Sequence, residues 1–157
     1  MDSLLNKDAE ESTPKFYGGW IKFFRIFNLL YWVAGVVITI AVIGIALFFD
    51  IEPEQNLIDL AAITIEMLPG TIMSFIIWKS ILVCDCETPN KIRSLLDIEF
   101  TLNVLTFIAL FFAFKEGYVS DKPNPIFFSL IYYFIWTSYL KRSKRVLSLY
   151  GSNTFKK

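Results

Sequence analysis

The stretch Ile26–Phe49, IFNLLYWVAGVVITIAVIGIALFF, carries no charged side chain and shows no polar face. Helices at the surface of a water-soluble protein alternate apolar and polar residues with a period near 3.6, and that alternation is missing here. A helix rises about 1.5 Å per residue, so about 20 apolar residues cross the ~30 Å of hydrocarbon in a bilayer. Ile26–Phe49 meets that length and reads as a transmembrane helix.

Three further runs follow the same logic. Leu57–Val83 is apolar apart from Asp59, Glu66 and Lys79, Ile98–Phe114 is apolar after Glu99, and Pro125–Leu140 is uncharged. The last two are short; Leu95–Asp97 extends one of them, and flanking Lys and Arg side chains reach headgroups from the other. The expectation is four crossings, at about 26–49, 57–83, 95–114 and 125–141. With 157 residues, 55% hydrophobic and 17% aromatic, and a mean hydropathy of +0.51, the chain has more apolar surface than one water-soluble core covers. The predicted fold class is an all-α polytopic membrane protein in a single domain, residues 16–145, between a mobile tail (1–15) and a C-terminal tail (146–157). The acidic start (Asp2, Asp8, Glu10, Glu11) and the length of the first run argue against a cleaved signal peptide.

Orientation follows from the cations. Of the 15 Lys and Arg, all but Lys79, Lys115 and Lys122 fall in the N-terminal segment, the 84–96 connection or the C-terminal segment. These parts are expected in the cytoplasm, and both termini with them. Lys141, Arg142, Lys144 and Arg145 form a basic anchor for anionic headgroups rather than a nucleic-acid patch. Upstream, FYGGWIKFFRIFNLLYW (Phe16–Trp32) places Trp20, Phe23, Phe24 and Phe27 at helical spacing after Gly18 and Gly19, with Lys22 and Arg25 between. This predicts an interfacial amphipathic helix that turns at Gly18–Gly19–Trp20 before the first crossing; the alternative is one strongly tilted helix. Gly151, Ser152 and Asn153 mark a helix stop after Ser143.

The run TIEMLPGTIM (Thr64–Met73) puts a carboxylate and a helix breaker in the second crossing. Glu66 lies about 13 Å below the outer end, where an ionised side chain costs several kcal/mol unless it faces the bundle interior. Pro69 frees the Ile65 carbonyl and Gly70 loosens the helix, predicting a kink. Asp59, seven residues earlier, shares nearly the same face. Thr39, Asn103, Thr106, Tyr132 and Tyr133 match Glu66 in depth, with Asn103 the preferred hydrogen-bonding partner. Two readings stand: a packing hydrogen bond, or a proton or substrate site.

Other chemistry is sparse. The chain has no histidine, and no Gly-rich phosphate loop, nucleophile elbow or internal repeat is visible, so no enzyme class, metal or cofactor is supported. Cys84 and Cys86 read as ordinary reduced thiols. Asp97 and Glu99 read as structural, near the start of the third crossing, where they suit the positive end of the helix dipole and pair with Lys79, Lys91 or Arg93. Small residues (Ala34, Gly35, Gly44, Ala61, Ala62) permit close contact with a membrane-protein partner or a second copy.

The sequence also resembles a bacterial inner-membrane family classed as domain of unknown function 2569. The resemblance spans residues 16–155. It rests on GGWI (Gly18–Ile21), Glu66, Pro89 and IWTSYLKRSKRVLSLYGSNTF (Ile135–Phe155), in which Trp136, Tyr139, Ser143, Lys144, Arg145, Val146 and Phe155 match. It departs from the family at Pro69–Gly70 and in the inner loop. The resemblance implies a four-helix inner-membrane protein and carries no activity. The leading expectation is a non-enzymatic structural or accessory membrane component; the alternative is a small proton- or ion-linked transporter using Glu66.

Overall fold

The computed structural model describes residues 19–48, 54–83 and 85–151. The N-terminal tail, Gly18, Cys84 and residues 152–157 lie outside them. Five helices occur among the described residues, with no strand: α1 (Trp20–Phe48), α2 (Glu54–Ile81), α3 (Thr88–Lys115), α4 (Phe127–Arg142) and α5 (Lys144–Tyr150). Consecutive long helices pack side by side, and α5 touches α3.

α1, α2 and α3 are long and apolar enough to cross a membrane. Large apolar side chains face outward along them, among them Leu47 at 73% and Ile40 at 64% exposure. In water such a surface would be sticky; in lipid it needs no cover. α4 differs. It has 16 residues, about 24 Å, short of a bilayer's hydrocarbon, because Pro123 and Pro125 just upstream deny it donors and push their preceding residues out of helical geometry.

Two boundaries differ from the sequence reading. The expected interfacial helix is instead the first two turns of α1, which runs unbroken from Trp20 to Phe48. Gly19, at φ 72°, sets the entry. Those turns stay with the bundle because Ile21, Phe24 and Asn28 are buried there, and the Phe24 ring stacks on Trp136 at 4.0 Å. At the other end of the chain, residues 144–150 form a docked helix. The chain bends at Ser143, whose Oγ accepts from the Val146 amide at 3.3 Å as an N-cap. Val146 and Tyr150 are then buried, and the Tyr150 hydroxyl donates to the Ile81 carbonyl at 3.1 Å. Gly151, at φ 70°, ends the helix as its spacing predicts.

Close approach of α1 and α2 depends on two glycines. Gly35 faces the Thr71 side chain, and Gly70 faces the Tyr31 ring, with no room for a Cβ at either. Gly70 thus makes space for a tyrosine, within an α2 that continues through Pro69.

The apolar core gathers at one end of the bundle. Ile21 and Phe24 of α1, Ile77 and Ile81 of α2, Ile92 and Leu96 of α3, Trp136 and Leu140 of α4, and Val146 and Tyr150 of α5 form a single cluster. Lys22, Lys91, Lys141, Arg142, Lys144 and Arg145 are exposed around that end. At the opposite end only Ala62, Leu110 and Val119 form a small buried group. Between the two clusters, Asn28, Thr71, Ser74 and Glu99 are buried among aromatic rings.

Candidate functional site: a polar path ending at Glu99

The path begins at the 116–126 connection. α3 ends in a Schellman motif: the Gly117 amide donates to Phe114 and the Tyr118 amide to Ala113, with Gly117 at φ 79°. The reversed chain buries Val119 and runs back over α2. Two α2 carboxylates hold it there. Asp59 Oδ1 accepts from the Ser120 amide at 2.8 Å. Glu66 Oε1 accepts from the Asn124 amide at 2.8 Å, while its Oε2 accepts from Asn124 Nδ2 at 3.1 Å. Both carboxylates therefore lie on one stripe, as their seven-residue spacing predicts. The hydrogen-bonding partner of Glu66 is Asn124, not Asn103. A loop residue was out of reach of a depth argument that compared only helices.

Three adjoining cavities follow. The outermost, about 430 Å3, is lined by Asp59, Glu66, Asp121, Lys122 and Asn124. A second, about 290 Å3, shares Glu66 and Asn124 with it and adds Tyr31, Asn103, Thr106 and Ser129. The innermost, about 180 Å3, shares Tyr31, Asn103 and Ser129 with the second and adds Ser74, Glu99 and Tyr132. Beyond it lies the apolar cluster, with the Phe24–Trp136 stack across the way.

Glu99 is the residue that the sequence reading misjudged. It is 7% exposed, and its Oε2 has no hydrogen-bond partner among the described residues. It is not at a helix mouth. α3 starts at Thr88, so Glu99 stands about 17 Å along it, too far for the dipole of the first turn to act. The signal was present: Ile92, Leu96, Glu99, Asn103, Thr106 and Leu110 recur at three- and four-residue steps, the inward stripe of α3. Asp97, by contrast, lies 3.9 Å from Arg93 and accepts from the Tyr133 hydroxyl at 2.7 Å.

The remaining expected site residues divide. Asn103 and Thr106 line the cavity that Glu66 also lines. Thr39 donates to Gly35 of its own helix at 2.8 Å and lines none of these cavities. Tyr133 belongs with Asp97 and the Phe100 ring; Tyr132 is the tyrosine at the cavity, and its hydroxyl donates to Asn28 at 3.0 Å. The order of the two tyrosines follows from helix phase, since neighbours in sequence point about 100° apart. Lys141, Arg142, Lys144 and Arg145 are exposed at the α4–α5 junction, away from the path. Trp20, 60% exposed, meets Trp136 edge to face at 6.3 Å. Cys86 is exposed, and a hydrogen bond with Asp85, joined by the Asp85 charge, raises its thiol above the usual range.

The path offers carboxylates, hydroxyls and amides in series. These groups can accept and donate hydrogen bonds along the path, and Lys122 adds a cation at its outer cavity. No family model, curated protein or solved structure matches this chain.

Proposed function

We propose that this chain is a small proton- or ion-linked transporter of the bacterial inner membrane, with Glu66 at the mouth of its path. The observation that carries this reading is the series of adjoining cavities from Asp59 and Glu66 to the buried Glu99, closed beyond by an apolar cluster. A packing role alone needs no cavity beside each acid. In this reading α4 is the fourth crossing, its shortness made up by Lys141 and Arg142 reaching headgroups. The basic end is cytoplasmic by the positive-inside bias, so the path opens outward. The resemblance of the two ends of the sequence to a bacterial inner-membrane family is consistent with this placement.

The test is flux in proteoliposomes containing a pH-sensitive dye. Imposed gradients should drive proton movement through the wild type and not through Glu66→Gln. No movement at any gradient, of either sign, overturns transport and returns the chain to the class of non-enzymatic accessory membrane components.

A further inference from the structure

We propose that the innermost cavity is a binding site for a short-chain primary ammonium ion, with Glu99 as its counter-charge. The inference deepens the transport reading, on which it rests, by naming a class of cation.

Four observations select that class. First, Glu99 is buried and one of its carboxylate oxygens accepts nothing among the described residues. An acceptor left unmet in an apolar interior is costly, so the fitting ligand brings an N–H or O–H donor. Second, the same cavity is walled by Phe27, Tyr31, Phe128 and Tyr132. Aromatic faces attract a cation through the ring quadrupole, and they cover alkyl groups equally well. Third, the polar groups are few: beside Glu99 there are Ser74, Asn103, Ser129 and the tyrosine hydroxyls, of which that of Tyr132 is committed to Asn28. A bare inorganic cation needs oxygen ligands on all sides, and rings occupy much of this wall. Fourth, the cavity of about 180 Å3 admits a chain of a few carbons. Anions are turned away by Glu99 and neutral apolar molecules leave its oxygen unmet. A primary ammonium group satisfies the oxygen with an N–H donor, the charge with its own, and the rings with its alkyl tail.

The experiment is calorimetric titration of the purified full chain in non-ionic detergent with n-butylammonium chloride. Butan-1-ol (the same length without charge) and sodium chloride serve as comparisons. The wild type should bind n-butylammonium saturably and neither comparison measurably. Glu99→Gln should weaken binding by about tenfold or more, and Phe27→Leu, which keeps an apolar side chain and removes a ring, by roughly 2- to 30-fold. Butan-1-ol binding as tightly as the amine, saturable sodium binding, undiminished affinity in Glu99→Gln, or no saturable amine binding up to about 10 mM each overturns the proposal. The comparisons on the wild type decide even if a variant fails to fold. Amine binding without flux sinks transport and leaves the site; flux without amine binding does the reverse.

Discussion

Glu66 has two roles that one pair of substitutions separates. Its carboxylate accepts two hydrogen bonds from Asn124 and so clamps the 116–126 connection onto α2. Glu66→Leu removes both acceptors. Hydrogen bonds to a charged group contribute about 1.5–3 kcal/mol each, but Asn124 is exposed, so water replaces much of what is lost. We expect a net loss of about 1–2 kcal/mol, which raises the population of the undocked connection about 5- to 30-fold. Glu66→Gln keeps an oxygen for the Asn124 amide, and turning the Asn124 side chain restores the second bond, so undocking should change by less than about threefold. Pro123, within the connection, is buried and makes a good reporter. With Cys84 and Cys86 replaced by Ser, a Pro123→Cys probe should react with a membrane-impermeant maleimide faster in the Leu variant by that factor, and at nearly the parental rate in the Gln variant. Equal rates in all three would refute the clamp.

Other consequences are local. Gly35→Ala should destabilise the α1–α2 contact by about 1–3 kcal/mol in a denaturing-detergent titration, since its Cβ would meet Thr71, whereas Gly44→Ala, with nothing within 4 Å, should be neutral or stabilise by up to about 1 kcal/mol. Tyr150→Phe should cost about 1–2 kcal/mol in thermal unfolding, because the Ile81 carbonyl at the end of α2 loses its donor; an unchanged midpoint would mean that α5 is not docked there. Asp85 raises the Cys86 thiol, so at fixed pH less of it is thiolate; Asp85→Asn should therefore speed iodoacetamide labelling of Cys86 in a Cys84→Ser background, and a slower reaction would contradict the assignment.

The helical class was legible because hydrophobic runs without a polar face leave lipid as the only suitable solvent for α1. Element ends were less legible where a tertiary contact decides them. The aromatic start of α1 has the composition of an interfacial helix, yet Trp136, far along the chain, draws Phe24 into the bundle. Ser143 breaks a segment that composition alone would continue, because its side chain caps α5. The site divides the same way. Asp59 and Glu66 were placed on one stripe by spacing within a single helix. Asn124 was missed because a polar loop residue between two prolines carries no sign that it folds back against a helix. Glu99 was placed near a helix start because the third crossing was counted from about residue 95, whereas α3 begins at Thr88.

The polar stretch gives way to the apolar cluster because every long helix changes the chemistry of its inward stripe at a common level. α1 passes from Ile21 and Phe24 to Asn28 and Tyr31, and α2, running the other way, from Ile81 and Ile77 to Ser74 and Thr71. α3 passes from Ile92 and Leu96 to Glu99 and Asn103, and α4 from Leu140 and Trp136 to Tyr132 and Ser129. No single helix makes a plug or a path; alignment of four such changes makes both. In the proposed transport, a cation passing from Glu99 to the basic end would have to part the apolar cluster, the Phe24–Trp136 stack within it. That stack joins α1 to α4, whereas α1 and α2 are locked through Gly35 and Gly70. Opening is therefore least costly as a movement of α4, the shortest of the four, away from the α1–α2 pair. Such a movement would part the ring stack together with the other α1–α4 links, the Tyr132–Asn28 hydrogen bond and the Phe27–Tyr132 ring contact.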